Sequence, residues 1–261
     1  MPQSDLLLEV ENLSVYYGNQ KAVDNVSFSI KRGEIFCIVG ESGSGKTTLL
    51  YSLARLLPSY ARVEGKITFL GKDITKLPKE ELNKIRGNQI GFIFQEPSAY
   101  LDPLFPVGEQ IRETCFIHHP QRDCFKAALW ALKKAGITDP LRVYYSYPHQ
   151  LSGGLKQRVN IADAVVNKPF LILADEPTTA LDVSTQSRIL KLFANLKEAG
   201  HTIILVTHDL GVVWEIADRV MVMKDGKKVE EGSVYEIYTN PREEYTQRLV
   251  VIFKKLSGFL T

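Results

Sequence analysis

Residues 40–47 read G-x-x-x-x-G-K-T, a spacing that suits the grip on a polyphosphate. Gly40, Gly43 and Gly45 let successive backbone N–H groups wrap around phosphate oxygens. A helix starting behind them turns its positive end to the same place. Lys46 supplies a charge with the reach of β- and γ-phosphates, and the Thr47 hydroxyl suits Mg²⁺. A glycine-rich surface turn is the bland alternative. The flanks decide: Phe36-Cys37-Ile38-Val39 reads as a buried strand, and Thr48-Leu49-Leu50 through Leu56-Leu57 as a helix stopped by Pro58.

Three more apolar runs end on polar chemistry. Ile90-Gly91-Phe92-Ile93-Phe94 stops at Gln95, Phe170-Leu171-Ile172-Leu173-Ala174 at Asp175-Glu176, and Thr202-Ile203-Ile204-Leu205-Val206-Thr207 at His208-Asp209. Unbroken apolar runs joined by helical segments are the pattern of parallel strands covered on both faces, and ligands bind at the carboxyl ends of such strands. An amide, two carboxylates and an imidazole are thus expected beside the phosphate loop. Phosphoryl transfer to water needs neutralised charge, from Lys46 and Mg²⁺, and an oriented nucleophile. A carboxylate directly after a metal-binding Asp175 is placed to take a proton from that water. His208 alone reads equally as structural; its position at the end of a buried strand favours function.

Two further features bear on the same chemistry. Leu151-Ser152-Gly153-Gly154 opens a helix with Ser152 as N-cap and Leu155, Val159, Ala162 and Val166 on one apolar face. Its uncovered N–H groups make a second anion site. Tyr16-Tyr17-Gly18 puts two aromatics before a turn, where a purine would stack for about 1 kcal/mol. Both tyrosines equally suit covering a sheet.

The rest of the chain supplies the frame. Its 261 residues, 44% hydrophobic and 24% charged, are those of a globular protein with ample core. A formal charge of +2 and no basic block speak against nucleic acid as a partner. Three cysteines, Cys37, Cys115 and Cys124, suit a reducing cytosol rather than a disulfide scaffold. Met1-Pro2-Gln3-Ser4-Asp5 lacks the basic start of a signal peptide, and no apolar run reaches the ~18 residues of a membrane span. Any membrane spans are expected from other subunits. Residues 6–34 read as antiparallel strands, 63–74 as a hairpin turning at Gly71-Lys72, and 78–86 as a short polar helix. Residues 109–168 read as mostly helical, over 109–115, 124–135 and from Ser152 onward. Asp225-Gly226 marks a hairpin turn, Ser233-x-x-Glu236 a capping box, and 242–257 an amphipathic tail helix. That tail packs on its own domain or serves a partner. Cys115, His118, His119 and Cys124 could be weighed as a zinc set, but the spacing matches no known finger.

Taken together and in this order, the phosphate loop, Gln95, Leu151-Ser152-Gly153-Gly154, Asp175-Glu176, Ala180-Leu181-Asp182 and His208 resemble an ATP-binding cassette ATPase over nearly the whole length. The resemblance implies an α/β P-loop nucleotide-hydrolase core of RecA-like type. To it belong an antiparallel β-subdomain and an inserted helical subdomain at about 88–165. Residues 1–240 would form the cassette and 241–261 the helical tail. ATP and Mg²⁺ are the implied cofactors. Gly40, Ser42, Gly43, Gly45, Lys46, Thr47 and Thr48 would bind the nucleotide, with Tyr17 on its adenine. Thr47, Gln95 and Asp175 would hold the metal, Glu176 would be the general base, and His208 would meet the γ-phosphate. Ser152 and Gly154 would bind the nucleotide of an opposite cassette, and Asp182 would communicate across that dimer.

Phe92-Ile93-Phe94-Gln95-Glu96-Pro97, Val107-Gly108-Glu109-Gln110-Ile111, Tyr147-Pro148-His149-Gln150-Leu151 and Glu176-Pro177-Thr178-Thr179 resemble the peptide and nickel importer ATPases, whose relatives also serve oligosaccharide importers. The partners implied are a second, usually different cassette, two permease subunits and, indirectly, an extracytoplasmic solute-binding protein. The implied location is the cytoplasmic face of the cell membrane. Tyr100, Leu101, Leu104 and Phe105 are expected to line a groove for a permease helix. Four departures stand out: Leu155-Lys156 for Met-Arg, Asp163 for an apolar residue or arginine, no cysteine after Cys124 for an iron–sulfur motif, and Glu244-Tyr245-Thr246 for Pro-Tyr-Thr. The competing readings are a soluble non-transport cassette, a non-hydrolysing scaffold and an exporter cassette.

Overall fold

The computed structural model describes residues 5–179 and 181–256. The start at 1–4, Ala180 of the Ala-Leu-Asp motif and the end of the tail from 257 lie outside those residues. The chain forms two compact units, residues 1–77 with 202–261, and residues 78–201.

The first unit begins with β1 (Leu6–Tyr17) and β2 (Gln20–Lys31), an antiparallel pair turning at Gly18. Val26, Phe28 and Ile30 alternate inward, as a half-buried strand requires. β3 (Ile35–Val39) is buried at every residue and leads into α1 (Lys46–Leu53). β4 (Ala61–Phe69) pairs along β1, while β5 (Lys72–Asp73) is only a stub. The expected hairpin at 63–74 is therefore mostly a third strand of the β1–β2 sheet. The stub ends early because the Asp73 carboxylate accepts from the Thr75 N–H at 2.9 Å and turns the chain away. The sheet order is β2-β1-β4-β5.

The second unit holds α2 (Lys79–Ile85), β6 (Ile90–Ile93), α3 (Pro97–Tyr100), α4 (Val107–His118), α5 (Cys124–Lys134), α6 (Pro140–Tyr144), a 3-10 turn at Pro148–Gln150, α7 (Gly153–Val165), β7 (Leu171–Asp175) and α8 (Val183–Glu198). β6 and β7 run parallel. α4 is longer than the sequence pattern suggested. The unforeseen α6 follows an Asp-Pro signal, its Asp139 carboxylate capping the Arg142 N–H at 3.1 Å. The fully buried Tyr144 lies so close to Gly108 that a Cβ there would sit 2.1 Å from its ring. A disulfide joins Cys115 to Cys124, with Cα atoms 5.6 Å apart. Three cysteines suited to a reducing cytosol did not lead one to expect this bond: the return from α4 to α5 brings residues nine apart in sequence face to face. That bond takes both cysteines out of the weighed zinc set, and among the described residues no group of three or more His, Cys, Asp or Glu is placed to hold a metal.

The first unit resumes with β8 (Thr202–Thr207), α9 (Leu210–Ile216), β9 (Arg219–Lys224), β10 (Lys227–Ser233), α10 (Val234–Thr239) and α11 (Glu244–Leu256). β3 lies between β8 and β9, parallel to both, and β10 returns antiparallel on β9 through Asp225-Gly226. Arg219 pins this sheet, its guanidinium donating to Glu34 at 2.9 Å and to Glu231. The capping box forms, the Ser233 N–H donating to Glu236 Oε2 at 2.9 Å. α11 packs on its own unit through Phe253, edge-on to Tyr238 at 5.4 Å.

Candidate nucleotide site

Register decides what meets at the strand ends. In the first unit Val39 pairs with Thr207, so the phosphate loop and His208 leave neighbouring strands at one level. Lys46 is 4% exposed, and its Nζ donates to the carbonyls of Gly40 and Glu41, each at 2.8 Å, and to Ser44 Oγ at 3.3 Å. The loop thus bends around its own ammonium. Gly43 and Gly45 adopt left-handed φ of 81° and 94°, which L-residues avoid. α1 begins at Lys46 with no side-chain cap, leaving its first N–H groups turned to the loop.

Non-local contacts hold this loop. The Gly226 N–H donates to Ser44 O at 3.1 Å, and the Asp24 N–H to Gly226 O at 2.8 Å. A Cβ on Gly45 would sit 2.4 Å from the Ala22 carbonyl of β2. Gly45→Ala is therefore expected to displace the loop and weaken nucleotide binding about tenfold or more, a strain of ~1.4 kcal/mol sufficing. Titration with a fluorescent ATP analogue reads this, with the melting temperature as a control.

Tyr16 and Tyr17, adjacent on β1, part company. Tyr16 lies under the Arg62 guanidinium, 4.2 Å from the ring centroid. Half-buried Tyr17 points its hydroxyl to Thr48 Oγ1 at 3.5 Å, beside the loop. Sheet cover thus describes Tyr16, whereas Tyr17 borders the phosphate site. A group that sequence reasoning missed is Tyr245 of α11, whose hydroxyl accepts from the Glu41 N–H at 3.3 Å.

In the second unit Ile93 pairs with Ala174, which brings Gln95 and Asp175-Glu176 to one strand edge. Gln95 is exposed, and Asp175 is 1% exposed. Glu176 has φ 41°, an uncommon conformation for a non-glycine residue, and its Oε2 accepts from Thr179 Oγ1 at 2.8 Å. Ser152 caps α7, accepting from the Leu155 N–H at 3.4 Å. Gly154 faces α8 so closely that a Cβ would meet Thr185 Cγ2 at 2.9 Å. Thr185 is in turn held by Asp182, which accepts from its N–H at 2.9 Å and its hydroxyl at 2.7 Å. Hydrogen bonds from Ser184 and Thr185 hold the Asp182 carboxyl well below the usual carboxylate range. Gly154 and Asp182 are thereby linked through one threonine. Of the expected groove residues, Leu101 is only 3% exposed, against 78% for Leu104 and 55% for Phe105. The Tyr100 hydroxyl is turned inward to Asp163. The ring of Tyr100 is nonetheless 39% exposed, so of the four expected residues only Leu101 is withdrawn from the surface. Phe105 borders a cleft with Glu109, Arg112 and Phe116.

A family model described as ABC transporter matches residues 23–179. The chain belongs to the ABC transporter family. The cassette is 45% identical over 253 residues to the peptidoglycan transport ATP-binding protein YejF of Agrobacterium fabrum, covering 94% of this chain and 46% of that protein. It is 44% identical to the oligopeptide transport ATP-binding protein OppD of Bacillus subtilis, over 97% of this chain and 73% of that one. It thus spans about half of the first relative and nearly three quarters of the second. A solved dimer of the ATP-binding cassette MJ0796, in a post-hydrolysis state with ADP and Pi, matches with TM-score 0.78 and 36% identity, over 87% of this chain and 99% of its own. The α/β nucleotide-hydrolase fold is that of its family, and the chain is an ATPase working with ATP and Mg²⁺. In the first unit a buried ammonium within a glycine loop suits a triphosphate, and the Thr47 hydroxyl is a hard oxygen donor of the kind Mg²⁺ takes. In the second unit, taken by itself, the Asp175 carboxylate is another. Among the described residues no helix is long and apolar enough to cross a membrane.

Proposed function

We propose that this cassette powers solute uptake, with peptides as the first solute class and nickel or oligosaccharides as the others, at the cytoplasmic face of a membrane. The oligopeptide and peptidoglycan transport named for the relatives supports the peptide class. Two cassettes, this one with a different partner or with a second copy, close head to tail on ATP and drive two permease subunits served by a solute-binding protein. The proposed boundaries remain a cassette of 1–240, a helical subdomain at about 88–165 and a tail of 241–261.

The observation that carries hydrolysis is Asp175-Glu176: a buried carboxylate for the metal followed by one held in a left-handed turn by Thr179. Lys46 and the amides of Gly43, Gly45 and Thr47 grip the phosphates, and Tyr17 covers the adenine. Thr47, Gln95 and Asp175 hold Mg²⁺, which neutralises charge on the β- and γ-phosphates when bound. Glu176 takes the proton of the attacking water, and His208 contacts the γ-phosphate. Ser152 and Gly154 close on the opposite cassette's nucleotide, with Asp182 reporting across the dimer. An intact Glu176 and His208 argue against a non-hydrolysing scaffold, and the transport relatives against a soluble non-transport cassette.

Reconstituted vesicles holding the cassette, its partner and both permeases are expected to accumulate labelled di- and tripeptides only with hydrolysable ATP. Uptake without ATP would overturn the reading. Phe105→Glu, which puts a charge on an exposed apolar surface, is expected to stop uptake while leaving ATP binding unchanged. Full uptake by that variant places the permease contact elsewhere.

A further inference from the structure

Three side chains on one face of α7 reach the segment that follows β6. Lys156, Asn160 and Asp163 stand at i, i+4 and i+7, one stripe of the helix. The Lys156 Nζ donates to Ser98 Oγ at 3.1 Å. The buried Asn160 amide donates to the Phe94 carbonyl at 2.9 Å, immediately before Gln95. The Tyr100 hydroxyl donates to the Asp163 carboxylate, and the Tyr100 ring stacks on Phe94 at 4.7 Å.

α3, the object of these contacts, is a single turn, too short to hold itself in water. Downstream of it, the Gln110 amide of α4 accepts from the Asp102 N–H at 2.9 Å and donates to the Asp102 and Phe105 carbonyls at 2.9 and 3.0 Å. Residues 94–105 are therefore fastened at one end to α7 and at the other to α4. Asp163 is the costly member. It is 7% exposed, and a buried carboxyl is unfavourable where an apolar residue would pack as well. Burial pushes its carboxyl up, against the pull of the Tyr100 and Thr114 hydroxyls and together with the nearby Glu113 charge. Packing alone does not call for an acid here; holding the Tyr100 hydroxyl does.

We infer that Lys156, Asn160 and Asp163 are positioning residues that lock the segment after Gln95 to α7, so that a displacement at 94–105 is carried to Ser152 at the helix start. The inference rests on the proposed roles of Gln95 and Ser152 for its consequence, but not for the lock itself.

Two measurements on the complete cassette separate these. Hydrogen exchange reads the lock: Tyr100→Phe removes one hydroxyl and is expected to speed exchange across 97–101 about tenfold, the loss of one buried hydrogen bond, with the α7 core unchanged. Asp163→Leu should match it, and Asp163→Asn, which keeps an acceptor, should stay near wild type. Unchanged exchange in Tyr100→Phe, or an Asn variant as loose as Leu, overturns the lock. The second measurement compares basal ATPase with ATPase stimulated by permeases and solute in vesicles. Basal turnover is expected to hold while stimulation falls in Tyr100→Phe and Asp163→Leu. Full stimulation despite faster exchange overturns the transmission. A wild-type complex that shows no stimulation fails the importer reading, while exchange still judges the lock.

Discussion

Replacing Lys46 by alanine is expected to remove ATP turnover and most nucleotide affinity without unfolding the protein. The Nζ lies within 2.8 Å of two loop carbonyls and 3.3 Å of Ser44 Oγ, buried where the phosphate charge gathers. A charge-assisted hydrogen bond contributes about 1.5–3 kcal/mol, so binding should weaken by roughly 10- to 100-fold. Turnover should fall further, by about 10³-fold, because charge stabilisation grows toward the transition state. The loop should survive, since the Gly226 N–H still donates to Ser44 O and Gly226 O still accepts from the Asp24 N–H, neither of which involves the lysine. Calorimetric titration with ATP, phosphate release and a melting curve read the three quantities separately. Normal turnover in the pure variant overturns the assignment of the loop.

That loop was legible because everything it needs is local: a buried strand, three glycines, a lysine and a helix behind. The turn at Asp225-Gly226 and the capping box at Ser233 were legible for the same reason. What fastens the loop was not. Ala22 and Gly226 meet Gly45 across long stretches of chain, and no pattern near either residue points to the other. Non-locality likewise hid the pairing of β4 with β1, since a strand's own alternation does not name its neighbour.

The candidate site divides along the same line. Tyr17 could not be told from Tyr16 by spacing, and strand alternation separated them only once Thr48 was found beside one and Arg62 over the other. Asp182 was expected as a dimer contact, and the structure shows that it caps α8 as well. A cap and a contact are compatible, because the Thr185 it holds faces Gly154. Asp163 stood out in the sequence as a departure from the apolar residue or arginine that similar cassettes carry, but its partner, the Tyr100 hydroxyl, lies 63 residues away.

Glu176→Gln is expected to separate binding from hydrolysis. The amide keeps the size of the side chain and can still accept from Thr179 Oγ1, so the left-handed turn at φ 41° should persist. It cannot take a proton from water. Losing a general base typically costs ~10²–10⁴-fold in rate. ATP binding should survive, because Lys46, Thr47, Asp175 and the loop amides are untouched. Ser152 and Gly154 of one cassette would then close on an ATP that is not consumed by the other. The variant should therefore form a dimer that depends on ATP and Mg²⁺, with itself or with its partner cassette. Light scattering with and without ATP measures this directly. Wild-type hydrolysis in the Gln variant would remove Glu176 as the base. Adding Ser152→Arg to the same chain places a bulky charge at the start of α7, where the capping oxygen now stands. A trapped dimer that forms equally well with that second change would remove the closure across the two cassettes, while leaving Glu176 in its catalytic role.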